Sequence, residues 1–482
     1  MQRVLFAQSA VPATAHDRLR LAESLLDAGN IEDARTALQQ AASLAPDDAA
    51  IYRALAAGFQ AAGLRNESIA AEMAALAFEQ HSALMLYNLG TSYLMTQRPA
   101  PAEKWYRAAL RIDPELVAAH QNLASILEVD GIDGHKAQAQ YHRDQAYRRQ
   151  SLFVDIAEAP KRTVLVLCAA GTGNVPFDFL LPRATTHRIK WVMDYASAEQ
   201  ADRLPPYDIV FNAIGDQDVT QRSHDVVERF LSRCEKPVLN VPGAIARTSR
   251  ELIPELLKNI DQVLVPRAVR LQRSENGALD ARELMACGIR PPLLVRPAGS
   301  HGGDRLQLLE TTSALARLDL PDQDCYASAY HDYRSADGYY RKYRVIFVDR
   351  QPFPYHLAIS EHWQVHYVTA DMLPHRWKRD EERRFLNDPA AVMGAEAMQA
   401  LRVIGQRLDL DFCGVDFSIL ADGRILIFEA NATMLVHLEE FHAALQFKNP
   451  YVQQILDAFD AMLTNSMVDK VYTPGSDQKS DL

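Results

Sequence analysis

The 482-residue sequence predicts a multidomain protein: an all-α repeat solenoid, then an α/β region, then an α+β region. Three observations carry this. The first 150 residues align with themselves at a spacing of 34. Near residue 163 the pattern changes to short apolar, β-branched runs alternating with helical stretches. Around residues 411–431 two apolar runs flank Asp422-Gly423, a short-range signal for an antiparallel hairpin.

Composition bounds the function. A hydrophobic content of 48% and a charged content of 23% describe an ordinary globular chain. The net charge of −11 argues against a broad nucleic-acid surface, though not against a local basic pocket. Five cysteines (Cys168, Cys234, Cys287, Cys325, Cys413) are scattered without a CxxC pair, so reduced thiols in a cytoplasmic protein are expected. No apolar run is long enough for a membrane-spanning helix, and Val4–Ala7 is too short for the apolar core of a signal peptide. Neither a membrane nor a nucleic acid is therefore an expected partner. Composition leaves the oligomeric state open.

In the repeat region Leu21, Leu55, Leu89 and Leu123 fall 34 residues apart, each followed by Ala22, Ala56, Gly90 or Ala124. Leu25, Phe59, Tyr93 and Leu127 repeat likewise, and Gly29, Gly63 and Gly131 mark turns where the third copy has Gln97. Pro46 and Pro114 close second helices. Small residues let two helices approach closely, and this pattern resembles the tetratricopeptide repeat. The array is read over 15–149, with three full copies and a degenerate fourth from Val117. The polar residues of that fourth copy (Lys136, Gln138, Gln140, His142, Arg143) suit a cap. The resemblance implies a peptide or carrier-protein partner; a packing or dimerisation module is the alternative. Arg148 to Arg162 reads as a linker.

Residues 160–260 form the α/β domain. Thr163–Cys168, Tyr207–Asn212 and Lys236–Asn240 read as strands of a parallel sheet, with helices over Asp225–Cys234 and Ser249–Asn259. Ligands of such sheets collect at the carboxyl ends of strands, here Gly171–Asn174, Ile214–Asp218 and Asn240–Gly243. Gly171-Thr172-Gly173 lacks a full phosphate fingerprint.

Residues 261–465 carry the chemistry. Pro292–Pro297 is a strand bearing Arg296, followed by Ala298-Gly299-Ser300-His301-Gly302-Gly303, a loop whose backbone N–H groups can face phosphate oxygens. Asp324–Asp332 is a strand leading to a turn. Arg341–Asp349 and Pro352–Ser360 are further strands. His356, His362 and His366 read as substrate-lining or structural groups. Trp377–Asp388 reads as a solvated helix or lid, and Ala395–Leu408 as an amphipathic helix. With Asp422-Gly423 as a two-residue turn, Asp416 falls opposite Glu429, and Asn431 shares their face. Like charges directly opposed are destabilising, and a hard divalent cation gives them a reason. Beyond this, His437, Glu439 and Glu440 are candidates to touch an acceptor. A last helix over about Tyr451–Leu463 precedes a tail, 466–482, predicted to be disordered.

Gly414-Val415-Asp416-Phe417 and Asp422-Gly423, followed by Glu429-Ala430-Asn431, resemble the ATP-grasp superfamily of D-alanine–D-alanine ligase and glutathione synthetase. The resemblance covers about two-thirds of the chain. It implies an ADP-forming ligase that activates a carboxylate with ATP and Mg²⁺, or Mn²⁺ in its place, and joins it to an amine. It places Asp416, Glu429 and Asn431 as metal ligands and Arg344 on the transferred phosphate. Arg296, Gly299, Ser300, Gly302, Gly303, Tyr330 and Asp332 then bind ATP, with Asp332 on the ribose. The chain departs from the family at three points: Arg296 stands where relatives carry lysine, the lysine that relatives often place near Arg250 is absent, and Ser360 stands where they carry arginine. A non-catalytic nucleotide-binding scaffold and a phosphotransferase are the alternatives.

Overall fold

Eight helices follow the repeat spacing: α1 (Ala15–Asp27), α2 (Ile31–Leu44), α3 (Ala49–Ala61), α4 (Arg65–Glu79), α5 (Ala83–Met95), α6 (Pro99–Ile112), α7 (Val117–Val129) and α8 (His135–Tyr147). The computed structural model describes residues 14–469 apart from 62, 130–134, 217–222, 272–283, 285, 300–302, 304 and 318–323. Its contacts divide the chain into two units, Met1–Ser151 and Leu152–Leu482.

In the first unit each odd-numbered helix packs on the next. The small residues at the repeated position are buried, and a Cβ at Gly90 would lie 2.8 Å from the Tyr106 ring. Gly29 and Gly63 take the left-handed backbone that their turns require, at φ +77° and +75°. Gln97 adopts the same conformation at φ +58°, so the third copy keeps the turn without glycine. Gly131 lies outside the described residues. Leu21 departs from the pattern at 38% exposed, because no helix pair precedes α1 among the described residues.

The second unit holds three sheets. The first, in order β1-β3-β2-β4-β5, comprises β1 (Leu152–Asp155), β2 (Arg162–Cys168), β3 (Thr186–Val192), β4 (Ile209–Asn212) and β5 (Val238–Leu239). All pairs are parallel except β1 against β3. Two of these strands correct the sequence reading. Strand β1 lies in the predicted linker. Strand β3 carries His187, Arg188 and Lys190, which masked it, yet Arg188 is fully buried because Asp155 and Asp178 neutralise it. Ser249–Asn259 is mostly turn, with one short helix, Ile253–Leu256, that carries Pro254 in its first turn.

The second sheet, β7-β10-β8-β9, is antiparallel: β7 (Ala268–Leu271), β8 (Leu293–Pro297), β9 (Gln307–Leu309) and β10 (Cys325–Ala329). The third runs β12-β11-β13-β14-β6, with β6 (Val263–Leu264), β11 (Tyr340–Val348), β12 (Gln351–Ser360), β13 (Phe412–Ile419) and β14 (Ile425–Asn431). Its odd-numbered residues Tyr343, Val345, Val415 and Phe417 pack under the helices Arg376–Asn387 and Ala395–Leu408. The first of these helices is not solvated as expected, for it buries Lys378, Glu382, Phe385 and Leu386.

The other face of the third sheet meets the first sheet through the C-terminal helix, Asn449–Asp469, whose Phe459 stands edge-on to Phe211 at 5.6 Å and to Phe412 at 5.7 Å. That helix outruns the predicted Leu463, so residues 466–469 of the expected disordered tail are helical, and 470–482 lie outside the described residues. No described helix is long and apolar enough to cross a membrane.

Asn240 joins the two sheets. It is fully buried at φ +55°, a conformation asparagine tolerates. Its Nδ2 donates to Phe412 O at 2.8 Å, its Oδ1 accepts from Phe412 N at 2.9 Å, and its own N–H donates to Asp411 at 2.7 Å. Asn240→Leu strands a buried donor and a buried acceptor of Phe412 and is expected to cost roughly 2–4 kcal/mol. A clear fall in the urea midpoint of the second unit checks this; an unchanged midpoint would refute it.

Candidate active site

The second and third sheets line one cavity of about 530 Å³. Strand alternation decides which side chains reach it. On β8 and β10, Leu294, Arg296, Tyr326 and Ser328 line the cavity, while Leu293, Val295, Cys325 and Ala327 fill the core behind. On the third sheet Lys342, Arg344, Asp416, Glu429 and Asn431 line it. Gly173, Asn174, Gly215 and Asp216, from the carboxyl ends of the first sheet's strands, close one end. Tyr330, Trp363 and Phe428 give the cavity an aromatic side, with Trp363 edge-on to Tyr330 at 5.9 Å.

The hairpin β13–β14 brings Asp416 opposite Glu429, by a route the count did not foresee. Leu420 N donates to Arg424 O at 2.8 Å and Gly423 N to Leu420 O at 2.9 Å, so the turn has three residues, with Gly423 at φ +88°. That slips the register by one: Ile419 pairs Ile425 and Phe417 pairs Ile427. A bulge at Phe428 slips it back, and Asp416 meets Glu429 after all. Phe428 packs on Tyr333 at 4.8 Å, which holds the bulge.

A row of paired residues therefore crosses four strands on one face: His356, Arg344, Asp416 and Glu429. Asp416 is 3% exposed. Arg344 grips it with Nε at 2.5 Å and a second N–H at 2.8 Å, and Lys342 Nζ lies 3.3 Å away. Burial pushes the Asp416 carboxyl up, but Arg344 and Lys342 outweigh it and hold the group well below the usual carboxylate range. Burial pulls the Arg344 guanidinium down, and Asp416 and Glu429 more than reverse this. Glu429 accepts from Arg250 at 3.1 Å and from Asn431 Nδ2 at 2.6 Å. Asn431 Oδ1 accepts from Thr433 N at 2.9 Å.

Two carboxylates and an amide oxygen are hard donors, the set a Mg²⁺-sized cation takes alongside phosphate oxygens. The residues fit that ion, provided Arg344 and Arg250 yield the carboxylates they now neutralise. Among the described residues no three His, Cys, Asp or Glu side chains converge to hold a metal.

Of the predicted nucleotide residues, Arg296, Gly299, Gly303 and Tyr330 line the cavity with Arg344. Ser300 and Gly302 lie outside the described residues. Asp332 does not line it: the residue is exposed and its Oδ1 accepts from Arg334 N at 3.1 Å, because the chain turns there away from the cavity. His331, its neighbour, lines the wall instead. His437, Glu439 and Glu440 also miss the cavity; His437 Nδ1 lies 3.0 Å from Tyr355 Oη and Glu439 receives the N–H groups of Phe441 and His442. Thr433, Met434 and Leu435 take that place. Sequence reasoning missed Lys342, although it sits two residues before Arg344 and so on the same face. It also missed Gln364, whose Nε2 donates to Gly303 O at 2.7 Å and ties the glycine loop across the cavity.

Comparisons with known proteins bear on both units. Tetratricopeptide-repeat models match residues 15–58 and 83–116, so the first unit contains tetratricopeptide repeats. Among solved structures, the chain is similar to a RimK domain protein ATP-grasp from Sphaerobacter thermophilus, at 13% identity over 64% of this chain and 100% of that one, TM-score 0.37. It is similar to the ATP-grasp ligase PsnB, solved with minimal precursor, Mg and ADP, at 16% identity over 62% and 98%, TM-score 0.35. It is also similar to VanG D-Ala:D-Ser ligase from Enterococcus faecalis, at 14% identity over 62% and 99%, TM-score 0.37. No curated protein matches.

Behind the row lies a buried polar cluster. Tyr367 stacks on His356 at 4.8 Å, donates to Glu382 at 2.9 Å and receives Lys448 Nζ at 3.0 Å. Glu382 is fully buried; burial pushes its carboxyl up to about 7 against the opposing pull of Lys448, Tyr367 and the Leu357 N–H. A carboxyl raised on folding stabilises fully below its unfolded value, near 4.5, and that contribution is lost as pH rises through about 7. The loss is on the order of 3 kcal/mol. Glu382→Gln should flatten the fall in thermal stability of the second unit between pH 5 and 8, and an unaltered slope would contradict the assignment.

Proposed function

We propose that the second unit is an ATP-dependent, ADP-forming ligase that joins a carboxylate to an amine. The observation that carries this is the Asp416–Glu429 pair with Asn431 beside it, on a cavity wall shared with Arg296 and the glycine loop. A carboxylate oxygen attacks the γ-phosphorus, the bond to the bridging oxygen breaks, and ADP leaves. The amine nitrogen then attacks the acyl carbon of the acyl phosphate, phosphate leaves, and the nitrogen loses its proton.

Each group has a part in this. Arg296 and the backbone of Gly299 and Gly303 face the ATP phosphates. Tyr330, Trp363 and Phe428 offer the base an apolar side. Arg344 stabilises charge that develops on the transferred phosphoryl group. Asp416, Glu429 and Asn431 hold Mg²⁺ or Mn²⁺, which when bound neutralises phosphate charge. The end built from Gly173, Asn174, Gly215 and Asp216 receives the substrates. The repeats grip a peptide or carrier protein that supplies one of the two partners.

Calorimetry with a non-hydrolysable ATP analogue tests the site. Binding should require Mg²⁺, and Glu429→Gln and Asp416→Asn should each weaken it at least about tenfold. ADP release that depends on an added acid and amine, with a new amide, supports ligation. A stable phosphorylated product would point to phosphotransfer. Binding without any turnover would leave a nucleotide-binding scaffold.

A further inference from the structure

On the side of Arg344 away from Asp416, the residue paired across the ladder is His356. It is 7% exposed, and its Nε2 is buried with no hydrogen-bond partner. The ring is clamped, stacked on Tyr367 at 4.8 Å and 28° and set against Tyr355 at 5.1 Å. The strand also bulges here: the register shifts between the pairs Arg344–His356 and Val345–Pro354, leaving Tyr355 as the extra residue. Bulges of this kind re-aim side chains beside functional sites. An apolar side chain would fill the same space without stranding a buried nitrogen, so the imidazole asks for a partner that arrives later.

The charged groups around the ring are Arg344, Asp416, Lys448 and Lys342. Burial first, and Arg344 second, keep the imidazole neutral. A neutral imidazole with its proton on Nδ1 offers Nε2 as an acceptor, and a guanidinium has only donors to give. Arg344 thus stands between two acceptors, one charged and engaged, the other neutral and waiting.

We propose that His356 is a positioning residue for Arg344: its Nε2 accepts a guanidinium N–H when a divalent cation takes Asp416. This rests on the ligase reading above. Paired with Asp416, the guanidinium has its charge cancelled. Held by a neutral acceptor, it keeps its place on the strand while its charge becomes available to the γ-phosphate, which a low-dielectric cavity makes strongly attractive. The exchange explains why a site for a cation and an anion can rest with its acids already paired.

The test uses the full chain labelled with ¹⁵N-histidine, titrated with Mg²⁺ and a non-hydrolysable ATP analogue, with binding followed by calorimetry on the same samples. The Nε2 resonance that is missing in His356→Phe identifies the group. On binding, that resonance should move upfield, the direction of an acquired hydrogen bond. Phenylalanine keeps the stack on Tyr367 but offers no acceptor, so His356→Phe should lower the preference for the ATP analogue over ADP by roughly tenfold. His356→Gln, which restores an acceptor, should keep that preference within about threefold of wild type. Binding with an unmoved resonance, or an unchanged preference in His356→Phe, overturns the proposal and leaves the ligase reading standing. Failure of the analogue to bind wild-type protein overturns both.

Discussion

A charged carboxylate at 3% exposure cannot persist without compensation, and the site is built around that constraint at Asp416. Arg344 and Lys342 supply the compensation from the neighbouring strand, and Arg250 does the same for Glu429. Removing one partner of such a pair leaves a buried charge unpaired, so the groups must exchange partners together or not at all. In the proposed ligase, a cation that takes the acids would release the arginines toward the phosphate. The ion pairs and the proposed nucleotide chemistry are two states of one set of charges.

The layers explain how the chain can keep these charges. On the third sheet the odd-numbered residues of β11 and β13 build a dry core under two helices, while among the even-numbered ones Ile346, Val348 and Phe412 pack against the C-terminal helix and Lys342, Arg344 and Asp416 line the cavity. Ile346 and Phe412 belong to the packed end of that face, Arg344 and Asp416 to the open end. Asn240 fastens the first sheet to this strand next to Phe412, so the residues that close the cavity are registered on the sheet that carries the acids. Gly215 adds a second fastening, since a Cβ there would lie 2.8 Å from Thr433.

The sequence was most legible where period and punctuation agreed. Ala395–Leu408 is helical between the residues its apolar spacing indicates, and the small residues of the repeats fall where helices touch. The hairpin shows a subtler case. Counting outward from a two-residue turn gave the right pair, because a three-residue turn and a bulge at Phe428 cancel; neither leaves a trace in an alternating pattern. Strand β3 was hidden because a buried Arg188 reads as a surface residue until Asp155 and Asp178 are seen beside it. The helix around Glu382 looked solvated for the same reason. The family resemblance points to Asp332 as the acid that follows the strand, and the turn at Arg334 takes it away from the cavity. Charges paired through space are what a one-dimensional reading cannot supply.

Sequence spacing and family models agree on the repeats of the first unit, whereas the chemistry proposed for the second rests on side chains brought together by register. The central claim is that Asp416, Glu429 and Asn431 share a divalent cation with nucleotide. A crystal structure with Mn²⁺ and a non-hydrolysable ATP analogue tests it most directly, because the ion announces itself by anomalous scattering. The account predicts an anomalous peak bonded to Asp416, Glu429 and phosphate oxygens, with Arg344 turned from Asp416. Nucleotide bound elsewhere, or Asp416 still gripped by Arg344 with no ion beside it, would contradict it.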